Sequence, residues 1–201
     1  MRKLIVLTFV TMDGVMQAPG GPEEDPEGNF TRGGWSVGYW DEVMDSVMSE
    51  QMGHPFDLLL GRKTYEIFAG YWPTSEEPGA DVLNKAKKYV ASRTLKNVTW
   101  KNSVILRGDT VAEIEKIKGE SGPELQVHGS ANLIQTLLKN DLVDEFWLKI
   151  FPVTIGAGKR LFGDGTIPVS FKLTESQSSP QGILIATYVR DSEIKSGSFG
   201  A

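Results

Sequence analysis

The apolar run Leu4 to Val10, rich in branched side chains and stopped by Asp13-Gly14, predicts a buried strand ending in a turn. From Tyr39 to Met52 the spacing changes. Trp40, Val43, Met44, Val47, Met48 and Met52 recur at helical intervals among Asp41, Glu42, Asp45 and Glu50, which predicts an amphipathic helix. Phe56 to Leu60 then reads as a strand running into a helix at Gly61-Arg62-Lys63-Thr64-Tyr65, and Val82 to Lys88 reads as a further helix.

Alternation continues along the chain. The strands Tyr89 to Ala91, Ser103 to Leu106 and Leu125 to Val127 are followed by Ser92-Arg93-Thr94, a helix from Thr110 to Lys118 and a helix from Ser130 to Lys139, respectively. In the last helix Leu133, Ile134, Leu137 and Leu138 form the apolar stripe. Glu145 to Val153, Val169 to Ser176 and Gly182 to Arg190 read as strands with no helices between them, the last two as a hairpin about Ser179-Pro180-Gln181-Gly182. Helix-and-strand alternation closed by strands alone predicts an α/β layered fold, its sheet mainly parallel with antiparallel C-terminal strands. One domain over residues 1–191 is expected, with a Gly/Ser-rich tail at 192–201.

Composition narrows the function. Cysteine is absent, so disulfides and thiolate metal sites are excluded, and with histidine only at His54 and His128 no metal centre is expected. A net charge of −5 gives no electrostatic footprint for nucleic acid. The basic start followed by a short apolar run lacks the cleavage pattern of a signal peptide, and a cytoplasmic protein is expected.

Ligands of open α/β sheets bind beyond the carboxyl ends of the strands. The candidates there are Thr11-Met12-Asp13-Gly14, Gly61-Arg62-Lys63-Thr64, Ser92-Arg93-Thr94 and His128-Gly129-Ser130-Ala131-Asn132. The second and fourth open helices after apolar strands, where free amides and the helix dipole suit a phosphate. No turn spells the full dinucleotide fingerprint. Gln17 to Gly34, dense in Gly, Pro, Asp and Glu, reads as a long loop able to act as a lid.

Taken in order, Thr11-Met12-Asp13-Gly14, Leu60-Gly61-Arg62-Lys63-Thr64-Tyr65-Glu66, Ser92-Arg93-Thr94, His128-Gly129-Ser130-Ala131-Asn132-Leu133 and Phe151-Pro152-Val153 with Gly156-Ala157-Gly158 resemble the dihydrofolate-reductase-like family. The branch is that of the reductase domain of the riboflavin-pathway deaminase-reductase. The resemblance implies a three-layer α/β/α fold, NADPH as cofactor, a small-molecule substrate and a homodimer. It also implies roles. Gly61, Arg62, Lys63 and Thr64 would meet the adenosine side and pyrophosphate; Ser92 and Arg93 would meet the 2′-phosphate. His128, Gly129, Ser130, Ala131 and Asn132 would form the pyrophosphate turn. Val10, Asp13 and Gly14 would border the nicotinamide, with Asp13 and Asp41 as candidate catalytic acids and Trp35 preceding Asp41 as in dihydrofolate reductases. Riboflavin-pathway reductases usually carry a glutamate where this chain has His128. The substrate expectation is therefore a small heterocycle, with the riboflavin-pathway uracil or a pterin as alternatives. An NADPH sensor without turnover is the rival from outside the enzyme class.

Overall fold

The computed structural model describes residues 1–164 and 166–200. One eight-stranded sheet in the order β4-β3-β2-β5-β1-β6-β8-β7 organises it. The strands are β1 (Leu4–Thr11), β2 (Phe56–Gly61), β3 (Lys88–Ala91), β4 (Ser103–Leu106), β5 (Glu124–Val127), β6 (Glu145–Phe151), β7 (Phe171–Ser178) and β8 (Leu184–Arg190). The helices are α1 (Glu42–Gln51), α2 (Arg62–Tyr71), α3 (Ala80–Lys85), α4 (Thr110–Gly119) and α5 (Ala131–Lys139). The strands from β4 to β6 are parallel, whereas β8 runs antiparallel to both β6 and β7.

Alternation along the strands divides the core between two helical layers. Leu4, Val6 and Val10 of β1, with Leu125 and Val127 of β5, pack under Ile114 and Ile117 of α4 and the Leu133–Leu138 stripe of α5. On the opposite face Phe56, Leu58 and Leu60 meet Tyr65 of α2 and Leu83 of α3, while Phe151 and Ile185 meet Met44 and Val47 of α1. This is the layered α/β architecture expected from the pattern. Among the described residues no helix is long and apolar enough to cross a membrane.

Boundaries differ where local chemistry overrides periodicity. The first helix starts at Glu42 rather than Tyr39, because Asp41 caps it and Val37–Tyr39 forms a separate 3-10 turn. The helix expected over Val82 to Lys88 spans Ala80–Lys85, and Lys88 opens β3 instead. Its ammonium is buried, bonded to the carbonyls of Asn84 and Lys101 and set 4.0 Å from the centre of the Trp100 ring. The C-terminal hairpin turns as expected, with the Gly182 amide donating to the Ser179 carbonyl. Ser192 to Gly200 are exposed, and Ala201 of the predicted tail lies outside the described residues.

Candidate active site

Strands β2 and β5 are neighbours, Leu58 standing beside Gln126, yet the helices that follow them pass to opposite faces. That divergence opens a crevice at the carboxyl ends of two adjacent parallel strands, the position where such sheets bind ligands. Its walls are the turns at Gly61 and Gly129. They touch: the Gly61 amide donates to Ser130 Oγ over 2.8 Å. A Cβ at Gly61 would lie 2.6 Å from Ser130 Cβ, so only glycine lets the turns approach this closely. Gly129 and Ser130 both hold positive φ, +99° and +77°, and a Cβ at Gly129 would face Thr64 Oγ1 at 3.6 Å.

The helix starts at this crevice have no internal caps. Neither α2 nor α5 receives a side-chain cap, because the Ser130 hydroxyl that precedes α5 is turned toward Gly61. Their first amides remain available to an outside acceptor, and the dipole favours an anion. Thr64 is buried in the first turn of α2, and Lys63 is half-buried there. Ala131 and Asn132 open α5; Ala131 leans on the core, whereas the Asn132 side chain is exposed.

The two arginines differ. Arg62 is exposed and paired with Glu66 one turn on, at 3.0 Å. Arg93 is exposed beyond β3 and has no carboxylate partner among the described residues. Ser92 accepts from the Leu95 amide at 2.9 Å, which folds the segment into a tight turn and presents Arg93 at its tip.

At the end of β1, Thr11 Oγ1 donates to Asp13 Oδ1 at 2.5 Å, the amides of Ile155 and Gly156 donate to the same carboxyl, and Gly14 takes a φ of +82°. These bonds, led by the Thr11 hydroxyl, hold Asp13 down to about 2. The carboxylate therefore ties two loops together and has no proton to give near neutrality. Asp41 has a cap's geometry. It accepts from the Met44 and Gln181 amides, and although partial desolvation pulls its pKa upward, bonds from Ser179, Met44 and Gln181 outweigh that and keep it lowered. The side chain expected as a proton source is a helix cap. The Val10 side chain is buried in the core cluster that includes the α5 stripe, which leaves its backbone to edge the crevice.

His128 points beneath the turn rather than into the crevice. Its ring lies between Phe56 and Phe68, and loss of hydration, with help from the charge on Lys149, lowers its pKa to about 3. It stays neutral at any physiological pH. Nor is the Gln17–Gly34 segment an open flap. Gln17 donates to the carbonyls of Asp25 and Glu27, and Lys159 bonds the carboxylates of Asp25 at 2.7 Å and Glu27 at 2.6 Å. Asp25 also lies 3.8 Å from Lys63, so the loop is fastened beside the start of α2.

An aromatic wall on the α1 face went unnoticed in the sequence. Phe9 meets Trp40 edge-on at 5.7 Å and Phe151 at 5.6 Å, and Trp40 remains 40% exposed beside the end of β1. Alternation along β1 placed Phe9 on a face, but only the fold brings Trp40 over it.

Comparison with known proteins gives relatives over most of the chain. Over 196 residues the chain is 28% identical to the uncharacterized protein YyaP of Bacillus subtilis, covering 93% of this chain and 94% of that one. A second protein of that bacterium, the uncharacterized YwjB, is 24% identical over 197 residues, 94% of this chain and 98% of its own length. Among solved structures, a putative riboflavin biosynthesis protein from Shewanella sp. PV-4 superposes with a TM-score of 0.67 at 21% identity, over 94% of this chain and 99% of that one. A pyrimidine reductase-like protein from Corynebacterium diphtheriae gives 0.65 at 13% identity, over 96% and 93%. The dihydrofolate reductase of Enterococcus faecalis, solved with NADP(H), gives 0.60 at 14% identity over 94% and 96%, which establishes the dihydrofolate-reductase-like fold. The model of the RibD C-terminal domain matches residues 2–185. With its paired helix starts at the switch point of the sheet, the chain belongs to the RibD C-terminal domain family.

Proposed function

We propose that the chain is an NADPH-dependent reductase that delivers hydride to a small planar heterocycle. The observation that carries this reading is the pair of uncapped helix starts, α2 and α5, brought into contact at Gly61 and Ser130. Two sets of free amides in one crevice suit a pyrophosphate, whose two phosphoryl groups need separate donors. Bound NADPH would supply the hydride. Gly61 to Thr64 and Gly129 to Asn132 would hold its diphosphate, Ser92 and Arg93 its 2′-phosphate, and the Asp13–Gly14 turn would border the nicotinamide. The wall of Phe9 and Trp40 favours a flat substrate and excludes water from the reacting face.

The decisive measurement pairs cofactor titration with turnover. Tryptophan fluorescence should report NADPH binding, and NADPH absorbance should fall when members of a pterin, pyrimidine and carbonyl panel are added. Arg93→Ala should weaken NADPH roughly tenfold or more, the equivalent of about 1.5–3 kcal/mol for a charge-assisted bond, and leave NADH nearly unchanged. Equal losses for both cofactors would remove the 2′-phosphate assignment.

A second reading, a cofactor-binding module without turnover, is favoured by one observation. Both candidate acids, Asp13 and Asp41, are engaged as hydrogen-bond acceptors. Tight NADPH binding with no oxidation across the panel would select it.

A further inference from the structure

The sheet face beneath α1 and α2 carries a polar chain that the crevice does not use. Lys149 of β6 is fully buried and donates to Gln51 Oε1 at the last residue of α1. The Gln51 backbone carbonyl accepts from Gln126 Nε2 at 2.9 Å, and the same nitrogen donates to Glu124 Oε1 at 2.8 Å. With that amide nitrogen spent, Gln126 Oε1 is left to accept from His128 Nε2, 2.7 Å away. His128 is thereby fixed as the neutral tautomer with hydrogen on Nε2. Gly129 and Ser130 follow it directly, so the chain ends on the turn that receives the ligand.

Lys149 is unusual among the buried lysines. Lys118 is paired with Asp144, and Lys88 has two carbonyls and an indole face. For Lys149, Gln51 is the single acceptor among the described residues, although an ammonium has three donors. The groups around it are few. Its own strand presents Glu145, already bonded by Lys3, just before β1, and by Trp147. Strand β5 presents Glu124 and Gln126, with His128 just past its end, α1 presents Gln51 with Glu50 beside it, and β8 presents Ile185 and Thr187. Phe9 of β1 stands directly opposite it. The register of β1 with β5 ends where Val6 stands beside Val127, and Phe9 and Lys149 lie further along the sheet in the direction of the turn that follows β5. Two strand spacings, about 10 Å, separate Lys149 from the turn.

We infer that Lys149 is a positioning residue for the ligand turn: in its charged form it anchors the Gln51–Gln126–His128 chain behind Gly129 and Ser130 and sets a positive charge on that side of the sheet, favouring an anionic dinucleotide. The inference rests on the NADPH reading. Loss of hydration lowers the lysine to about 7, so its charge is lost within a physiological range. An anion binds better to the protonated form; affinity is therefore highest below pH 7 and declines as the proton leaves. By linkage, ligand binding raises the lysine's pKa.

Dissociation constants for NADPH measured from pH 6 to pH 9 test this in the wild type, Lys149→Arg and Lys149→Met. A unit charge about 10 Å away in a medium of effective dielectric constant about 20 corresponds to roughly tenfold in affinity. The wild type should weaken by about that factor across the range. Lys149→Arg, charged throughout, should stay tight, and Lys149→Met should stay weak. Titration of the 2′-phosphate near pH ~6 is common to all three proteins and cancels in their ratios. A wild-type profile parallel to that of the arginine variant overturns the inference. Should the variants fail to fold, nitrogen-15 NMR of the lysine Nζ in the wild type gives the same answer: its pKa should rise when NADP+ is added, and an unchanged pKa overturns the role. Absence of NADPH binding at every pH would instead overturn the cofactor reading itself.

Discussion

Helices α1 and α4 begin on aspartates, Asp41 and Asp109, whose carboxylates accept from the Met44 and Ala112 amides. Helices α2 and α5 begin on Gly61 and Ser130 with no side-chain cap. The first pair satisfies its own orphan amides and is finished as structure. The second pair leaves them open at the switch point of the sheet, and the one hydroxyl that could cap α5 instead binds the neighbouring turn. A helix start left uncapped gives up about 0.5–2 kcal/mol of stability relative to a capped one, and under the proposed function the bound cofactor supplies the missing acceptors to this pair.

Gly61→Ala should break this contrast most severely. The added methyl would sit 2.6 Å from Ser130 Cβ and 2.7 Å from its hydroxyl, forcing the two turns apart. Overpacking of this kind costs about 1–3 kcal/mol, and NADPH affinity should fall by more than the roughly tenfold expected from losing one contact. Calorimetric titration beside thermal melting checks it; unchanged affinity would mean that the turns do not hold the cofactor together.

Asp109→Ala addresses the capped class. It should lower stability by about 1 kcal/mol with little change in NADPH affinity, since the Asp109 carboxylate is spent on the Ala112 amide and α4 is assigned no contact with the cofactor. A denaturant melt read against a cofactor titration separates the two quantities.

The smallest effect is expected at Asp41→Asn. Asparagine caps about as well as aspartate, so stability should change by only a few tenths of a kcal/mol and turnover should persist. Large loss of turnover at full stability would restore Asp41 as the acid and undo its placement among the caps.

The pattern of side chains was enough to find the elements because β1 and β2 are apolar runs and α5 carries an unbroken stripe, and local periodicity is decisive when one face is fully buried. It was weaker where a polar side chain is buried by remote partners. Lys88 reads as the exposed end of a helix, yet carbonyls from Asn84 and Lys101 take it inside a strand. Gln17 and Asp25 read as an open loop, although Lys159, far along the chain, fastens them. Lys149 could have been noticed as a lone charge between Leu148 and Ile150 on a central strand, but nothing nearby in the sequence names Gln51 as its partner.

The sequence alone determined the layered α/β class, the helix stripes and the order of the glycine-bearing turns, because these depend on interactions within a few residues of one another. Tertiary structure decided which turns meet, that Asp41 and Asp13 are bonded acceptors rather than free acids, and that His128 looks inward to Gln126. Those outcomes depend on partners brought together by strand order: Ser130 reaches Gly61 only because β5 inserts beside β2. A residue's charge state and role follow from such neighbours, since burial and hydrogen bonding set both, and the chain's own periodicity carries no record of them.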